Sequence, residues 1–344
     1  MGDPLAVARL QTILGDTLRE LGSYAKAVEV LEKARAIRER ELGADHPDTL
    51  TTLNNLALAY QAAGRLPEAI ALFEQVRDAS VKKPGANHPS TLITLNNLAA
   101  AYQYAGRLPE AIALFEQVRD AQVKKLGADH ADTLTTLHNL AMAYLFAGRL
   151  PEAVAHLEQA ATGIAKLKFR HRFAGRIIGD TIVAYEAAGQ LDKVEGWRRQ
   201  WLVVVKEKSG ADSPAYAGEL AALGLNLLKQ KKWSAAEPLL RECLAIREKK
   251  EPNAWTTFNT QSMLGGSLLS QKKYKDAEPL LLKGYEGMKA REKTIPPQAG
   301  TRIPEALDRL IELYTATDRP EEAKKWRAER AKHPDLAPPP REKK

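Results

Sequence analysis

Catalytic signatures are the first thing missing from this 344-residue chain. It has no Walker phosphate loop, no His-Glu-x-x-His and no Gly-x-Ser-x-Gly, and it lacks the Gly-rich loop, His-Arg-Asp and Asp-Phe-Gly of a protein kinase. No enzymatic activity and no catalytic residue are therefore expected, although a repeat array can assemble a site that no motif announces. Cysteine occurs once, at Cys243. A lone thiol excludes a disulfide framework and a thiolate metal site, and is expected to be a buried packing group. No apolar run reaches the roughly 18 residues of a membrane-crossing helix. Met1–Leu10 carries Asp3 and Arg9 and no apolar core, unlike a secretory signal, and Ala6 stands where a myristoylation site needs Ser or Thr. These absences suit a cytoplasmic protein with no cofactor, no metal and no membrane partner.

What is there is repetition. The stretch Asp45–Glu74 returns at Asn87–Glu116 and at Asp129–Glu158, and Gly22, Gly64, Gly106 and Gly148 are 42 residues apart. A fixed period in this range marks a stacked array of identical units. Each unit reads as two helices. Leu53, Leu56, Ala57 and Tyr60 share one helical face. Gly64-Arg65 ends that helix, because glycine accepts the left-handed conformation of a helix stop. Pro67 opens the next, whose apolar face is Ala69, Phe73 and Val76, with Lys82 and Lys83 expected in its last turn. Asp45, Asn87 and Asp129 are the candidate caps beside the His-Pro and His-Ala turns. The glycine register continues as Gly189, Lys231, Lys272 and Asp318, giving eight units.

Leu-x-x-Leu-Ala-x-x-Tyr, then Gly, then Ala-x-x-x-Phe resembles the tetratricopeptide repeat, in the 42-residue variety similar to that of kinesin light chains. The resemblance implies an all-α, right-handed superhelical solenoid of about eight helix-turn-helix repeats, near residues 5–42, 47–84, 89–126, 131–168, 172–209, 214–250, 255–291 and 303–332, with a disordered basic Pro-rich tail over 333–344. It implies a scaffold that binds a protein or peptide partner on a concave face lined by the first helices. From about Glu237 to Arg330, Ala277-Glu-Pro-Leu-Leu-Leu-Lys-Gly-Tyr-Glu-Gly and Arg291-Glu-Lys-Thr-Ile-Pro-Pro resemble the repeat regions of bacterial, planctomycete-like Ser/Thr protein kinases. An alternative function is thus a regulatory or substrate-recruiting module of such a kinase system. Pro238 and Pro279 fall where the register puts a helix, so that helix either starts late or kinks.

Charge is uneven: −3 over residues 1–160 and +11 over 161–344, within a total of +8. The densest cluster is Lys166, Lys168, Arg170, Arg172 and Arg176, with Phe169 and Phe173 between, where the His-Pro turn has been lost. It reads either as a site for an anionic partner, phosphate or acidic peptide, or as cations at a helix C-terminus with the two Phe packing a repeat junction. A basic helical repeat binding nucleic acid is a further alternative, disfavoured because no recognised motif accompanies the charge. His46, His88 and His130 recur once per repeat and cannot converge on one metal ion.

The first helices offer a second stripe. In repeat 2 it holds Asn54, Leu58 and Gln61, in repeat 3 Asn96, Gln103 and Tyr104, and in repeat 4 His138, Met142 and Phe146. Asn54, Asn96 and His138 are expected to form a ladder facing an extended peptide, since an amide both donates and accepts. Asn55, Asn97 and Asn139 are expected to brace the stack. The other reading makes the whole ladder structural. The family's carboxylate-gripping members need a Lys–Asn pairing at the levels of Asn54 and Leu58, which this chain lacks, so an internal peptide segment is expected.

Overall fold

The structure, a computed structural model, describes residues 3–333. Every regular element among them is helical. The chain runs α1 (Pro4–Glu20), α2 (Tyr24–Leu42), α3 (Pro47–Ala62), α4 (Leu66–Ser80), α5 (Pro89–Tyr104), α6 (Leu108–Leu126), α7 (Ala131–Phe146), α8 (Leu150–Lys166), α9 (Ala174–Ala187), α10 (Leu191–Ser209), α11 (Pro214–Lys229), α12 (Trp233–Lys250), α13 (Trp255–Ser270), α14 (Tyr274–Lys289), α15 (Arg302–Ala316) and α16 (Pro320–Arg330). Residues 1–2 and the expected tail from 334 onward lie outside the described residues. The chain divides into two compact units, Met1–Ala184 and Tyr185–Lys344.

Each pair turns the same way. Gly22, Gly64, Gly106, Gly148, Gly189, Lys231, Lys272 and Asp318 all have φ between +52° and +78°. The next residue's N–H reaches back five positions to a carbonyl, as Arg65 does to Tyr60 and Lys273 to Leu268, at 2.8–2.9 Å in all eight turns. This is the hydrogen bonding of a left-handed helix stop. Glycine takes it without strain, whereas a residue with a side chain adopts it at about 1–2 kcal/mol.

The caps differ from expectation by one residue. His46, His88 and His130, not the preceding Asp or Asn, cap their helices: each Nδ1 accepts the N–H two residues on, at 3.2–3.3 Å. Lys82 and Lys83 lie beyond the helix expected to hold them. α4 ends at Ser80, and Lys83 is extended (φ −159°, ψ 121°) because it precedes Pro84, whose ring disfavours the helical conformation there. Leu126 replaces that proline one repeat later, and α6 runs through Lys124 and Lys125. α12 and α14 start at Trp233 and Tyr274 and continue through Pro238 and Pro279.

In the first unit, Ala57, Ala99 and Ala141 and their partners Ala69, Ala111 and Ala153 are fully buried, so paired helices approach closely. Phe73, Phe115 and Leu157 fill the space beside them. Elsewhere glycine takes the alanine level: Gly15, Gly224 and Gly265 face Leu31, Leu240 and Leu281, where a Cβ would come within 2.5–2.7 Å of the leucine side chain. In the second unit Cys243 is fully buried, its thiol donating to the Ala217 carbonyl at 3.1 Å. No helix among the described residues is long and apolar enough to cross a membrane, and no group of three metal-ligating side chains occurs among them.

Candidate peptide-binding face and basic cleft

The candidate face belongs to the first unit. Its first helices touch in succession, α1 on α3, α3 on α5 and α5 on α7, while each second helix packs against its own partner and the next first helix. One stripe of every first helix is thereby left on a shared surface. Asn54 and Asn96 lie on it half-buried, but they are not free. Asn97 Nδ2 donates to Asn54 Oδ1 at 3.2 Å, and Asn139 Nδ2 to Asn96 Oδ1 at 3.4 Å. His138 is 4% exposed, with Nε2 2.7 Å from Asp180 Oδ2 on α9. The expectation that His138 presents its ring to a ligand is therefore corrected: the imidazole is held inside the stack by a carboxylate. The three pairs obey one rule, in which the residue ten before a left-handed turn joins the residue nine before the next turn. Ser262 and Arg309 in the second unit follow it too, with Arg309 Nη1 donating to Ser262 Oγ at 3.0 Å.

The rest of the stripe stays open. Tyr104 is 73% and Phe146 66% exposed, at equivalent positions of successive repeats, with Ile93 and Val183 exposed on the same face. Leu58, Gln61, Gln103 and Met142 are half-buried. Gln61 Oε1 is buried and meets no hydrogen-bond donor.

A second recurring group locks the repeats together. The Tyr60, Tyr102 and Tyr144 hydroxyls donate to Glu32, Glu74 and Glu116 of the preceding second helix at 2.7, 2.5 and 2.6 Å. Arg65, Arg107 and Arg149, each just after the left-handed glycine, lie over the same rings at 4.2, 3.9 and 4.5 Å. Burial, then the Glu74 hydrogen bond, pushes the Tyr102 phenol above its ordinary range. Tyr314 with Glu278 and Arg319 repeats the arrangement in the second unit, where the phenol is raised to about 12, again chiefly by burial.

The basic cluster surrounds the turn between α8 and α9. A cleft of about 730 Å³ opens there, lined by Ala131, Asp132 and Thr135 of α7 and by Lys166, Leu167, Lys168, Arg170, His171 and Arg172. The five sequence cations do not act as one patch. Lys166 pairs with Asp129 at 2.8 Å, and Arg176 lies outside the cleft, 3.8 Å from Asp180. Arg172 stacks on Phe173 at 4.4 Å. The proline of the His-Pro turn is absent here, but a histidine remains. His171 Nδ1 accepts the Phe173 N–H at 3.1 Å, the same two-residue contact as in His130 although α9 begins only at Ala174, while its Nε2 faces the Ala131 carbonyl and Thr135.

A pair of helices closed by a left-handed stop, repeated along the described residues, is matched by models of the tetratricopeptide repeat over residues 6–82, 55–122, 90–163 and 220–250. The chain belongs to the tetratricopeptide repeat family. Its repeats are kinesin-light-chain-like. Protein KINESIN LIGHT CHAIN-RELATED 3 of Arabidopsis thaliana is 47% identical over 49 residues, which are 14% of this chain and 8% of that protein. The chain thus spans under a tenth of that relative's length. A Podosopora anserina protein of nearly identical, kinesin-light-chain-type repeats is 30% identical over 73% of this chain and 99% of its own, with a TM-score of 0.45. A Pyrococcus horikoshii signal transduction ATPase with a tetratricopeptide repeat sensor matches 73% of this chain and 37% of its own at 16% identity and a TM-score of 0.57, a likeness of fold. Tetratricopeptide folds are typical of protein–protein interaction modules, the family is generally non-enzymatic, and its members bind protein or peptide partners.

Asn97 and Asn139 brace the stack as the sequence suggests, but sequence reasoning missed their partners, Asn54 and Asn96 of the preceding repeat, and the pairing of His138 with Asp180. The periodicity of one helix places Asn54 and Asn55 on different sides, and says nothing of which side meets the neighbour's Asn97. The pairing signal was present as the joint recurrence of two adjacent polar residues, one per repeat.

Proposed function

We propose that the chain is a non-catalytic scaffold that holds an extended peptide segment of a partner against the first helices of repeats 2 to 4. The observation that carries this reading is the exposure of Tyr104 and Phe146, in register and one repeat apart, on a face that also carries the half-buried Asn54, Asn96 and Gln103. Large apolar side chains exposed together mark interaction surfaces, and aromatic anchors dominate binding energetics at such surfaces. Asn54 and Asn96 each spend their carbonyl oxygen on the neighbouring repeat and keep Nδ2 for a peptide carbonyl. His138 is excluded from the contact set by its burial, so Asn54, Leu58, Gln61, Asn96, Gln103, Tyr104, Met142 and Phe146 form the proposed face.

The test is a double substitution, Tyr104→Ala with Phe146→Ala. Binding of a partner captured by the wild-type chain should weaken by more than about 2 kcal/mol, at a little over 1 kcal/mol for each aromatic anchor. Because both rings stand in solvent, the melting temperature should stay within about 2 °C of wild type, the scale of a surface substitution. Full retention of the partner by the double variant would refute the reading.

A further inference from the structure

We propose that the cleft beside the α8–α9 turn is a phosphate-monoester site whose ligand is a phosphorylated serine or threonine side chain of a peptide. From the preceding reading it takes only that the partner is a peptide. The first argument is charge. Of the cations lining the cleft, Lys166 is neutralised by Asp129, whereas Lys168 and Arg170 have no carboxylate within ion-pair distance among the described residues, and Arg172 rests on an aromatic ring. Three cations against Asp132 leave a net charge of +2 in one cleft. A phosphate monoester carries about −1.5 to −2 at neutral pH, with three strong acceptor oxygens. A carboxylate offers a single charge and two oxygens. Two guanidinium groups and one ammonium supply more donors than a carboxylate can use, and guanidinium forks match phosphate oxygens.

The second argument is backbone. Four of the repeat junctions are four-residue turns, whereas residues 167–173 form a seven-residue connection in which Lys168 and Phe169 are both left-handed, at φ 52° and 56°, the one such consecutive pair among the described non-glycine residues. Consecutive residues with side chains adopt this conformation only against strain, and such strain collects at functional sites. Here it places Lys168 and Arg170 in the lining of one cleft. The third argument concerns the kind of anion. A nucleic acid strand needs a track of cations along its backbone. On this surface the cations stop at one turn, since Arg176 sits beside Asp180 and the α7 stripe continues as the Asp180-bound His138, then Met142 and Phe146. One cluster fits one dianion.

The test uses fluorescein-labelled nonapeptide pools with randomised flanks and a fixed central phosphoserine, serine or glutamate, read by fluorescence anisotropy on the full chain. The phosphoserine pool should bind at least about tenfold more tightly than the serine pool, as one charge-assisted contact provides. Lys168→Ala with Arg170→Ala, both exposed, should remove most of that difference while leaving the melting temperature unchanged. Free O-phosphoserine should compete with the phosphoserine pool, and should do so equally well in Tyr104→Ala/Phe146→Ala, so the two proposals fail separately. Equal binding of the phosphoserine and serine pools, indifference to the Lys168/Arg170 variant, or displacement of the peptide by a nine-nucleotide oligouridylate better than by an unlabelled phosphoserine pool would each overturn the assignment.

Discussion

At the scale of single residues, Tyr102 shows how one side chain serves fold and stacking at once. Its ring is 5% exposed, its hydroxyl donates to Glu74 of the preceding repeat, and Arg107 covers its outer face. Tyr102→Ala should destabilise by roughly 3–5 kcal/mol, as for other aromatic truncations in cores. Tyr102→Phe keeps the ring and loses a hydrogen bond to a charged acceptor, worth about 1.5–3 kcal/mol when fully desolvated. Glu74 is about a third exposed, which puts the expected loss near 1 kcal/mol, discounted for solvent. Urea unfolding of both variants measures the difference. A loss for Tyr102→Ala no larger than that for Tyr102→Phe would mean the ring contributes no packing.

At the scale of helices, two glycines of the second unit should respond with opposite signs. Gly284 on α14 touches the backbone of α13: an added Cβ would lie 2.7 Å from Ser262 N and 2.9 Å from the Phe258 carbonyl oxygen. Backbone cannot step aside as a side chain can, so Gly284→Ala should cost about 1–3 kcal/mol, as overpacking does. Gly196 on α10 has helical backbone and no atom within 4 Å of such a Cβ. There alanine removes only unfolded-chain freedom, and Gly196→Ala should stabilise by about 0.4–1 kcal/mol. Thermal melts of the two variants check both signs, and a stabilising Gly284→Ala would mean that α13 and α14 do not approach so closely.

At the scale of the molecule, each repeat meets mainly its neighbours, so stability is approximately a sum of local and nearest-neighbour contributions. Tyr102 and Gly284 lie in different compact units, in the third and seventh repeats. Their substitutions should therefore add to within about 0.3–0.5 kcal/mol in the double variant Tyr102→Ala/Gly284→Ala. A coupling well outside that range, in a chain that still unfolds in one transition, would show cooperativity beyond nearest neighbours.

The amino-acid sequence by itself determined the period, the helix pairs and the core, because these follow from chain-local physics. Spacing of three and four sets a buried face, and a left-handed stop needs a residue that tolerates it. The stop was legible even at Lys231, Lys272 and Asp318, where register rather than glycine carried the signal. Only the tertiary structure decided which polar residues are spent on the stack. Asn54 meets Asn97 and His138 meets Asp180 through the way successive helices are set against each other, and neither meeting is written in the period of one helix. The same holds for the basic cluster. Its five cations are neighbours in sequence, but the fold brings Asp129 to Lys166 and Asp180 to Arg176 and leaves Lys168, Arg170 and Arg172 around one cleft, since charge compensation depends on distance through space and not along the chain.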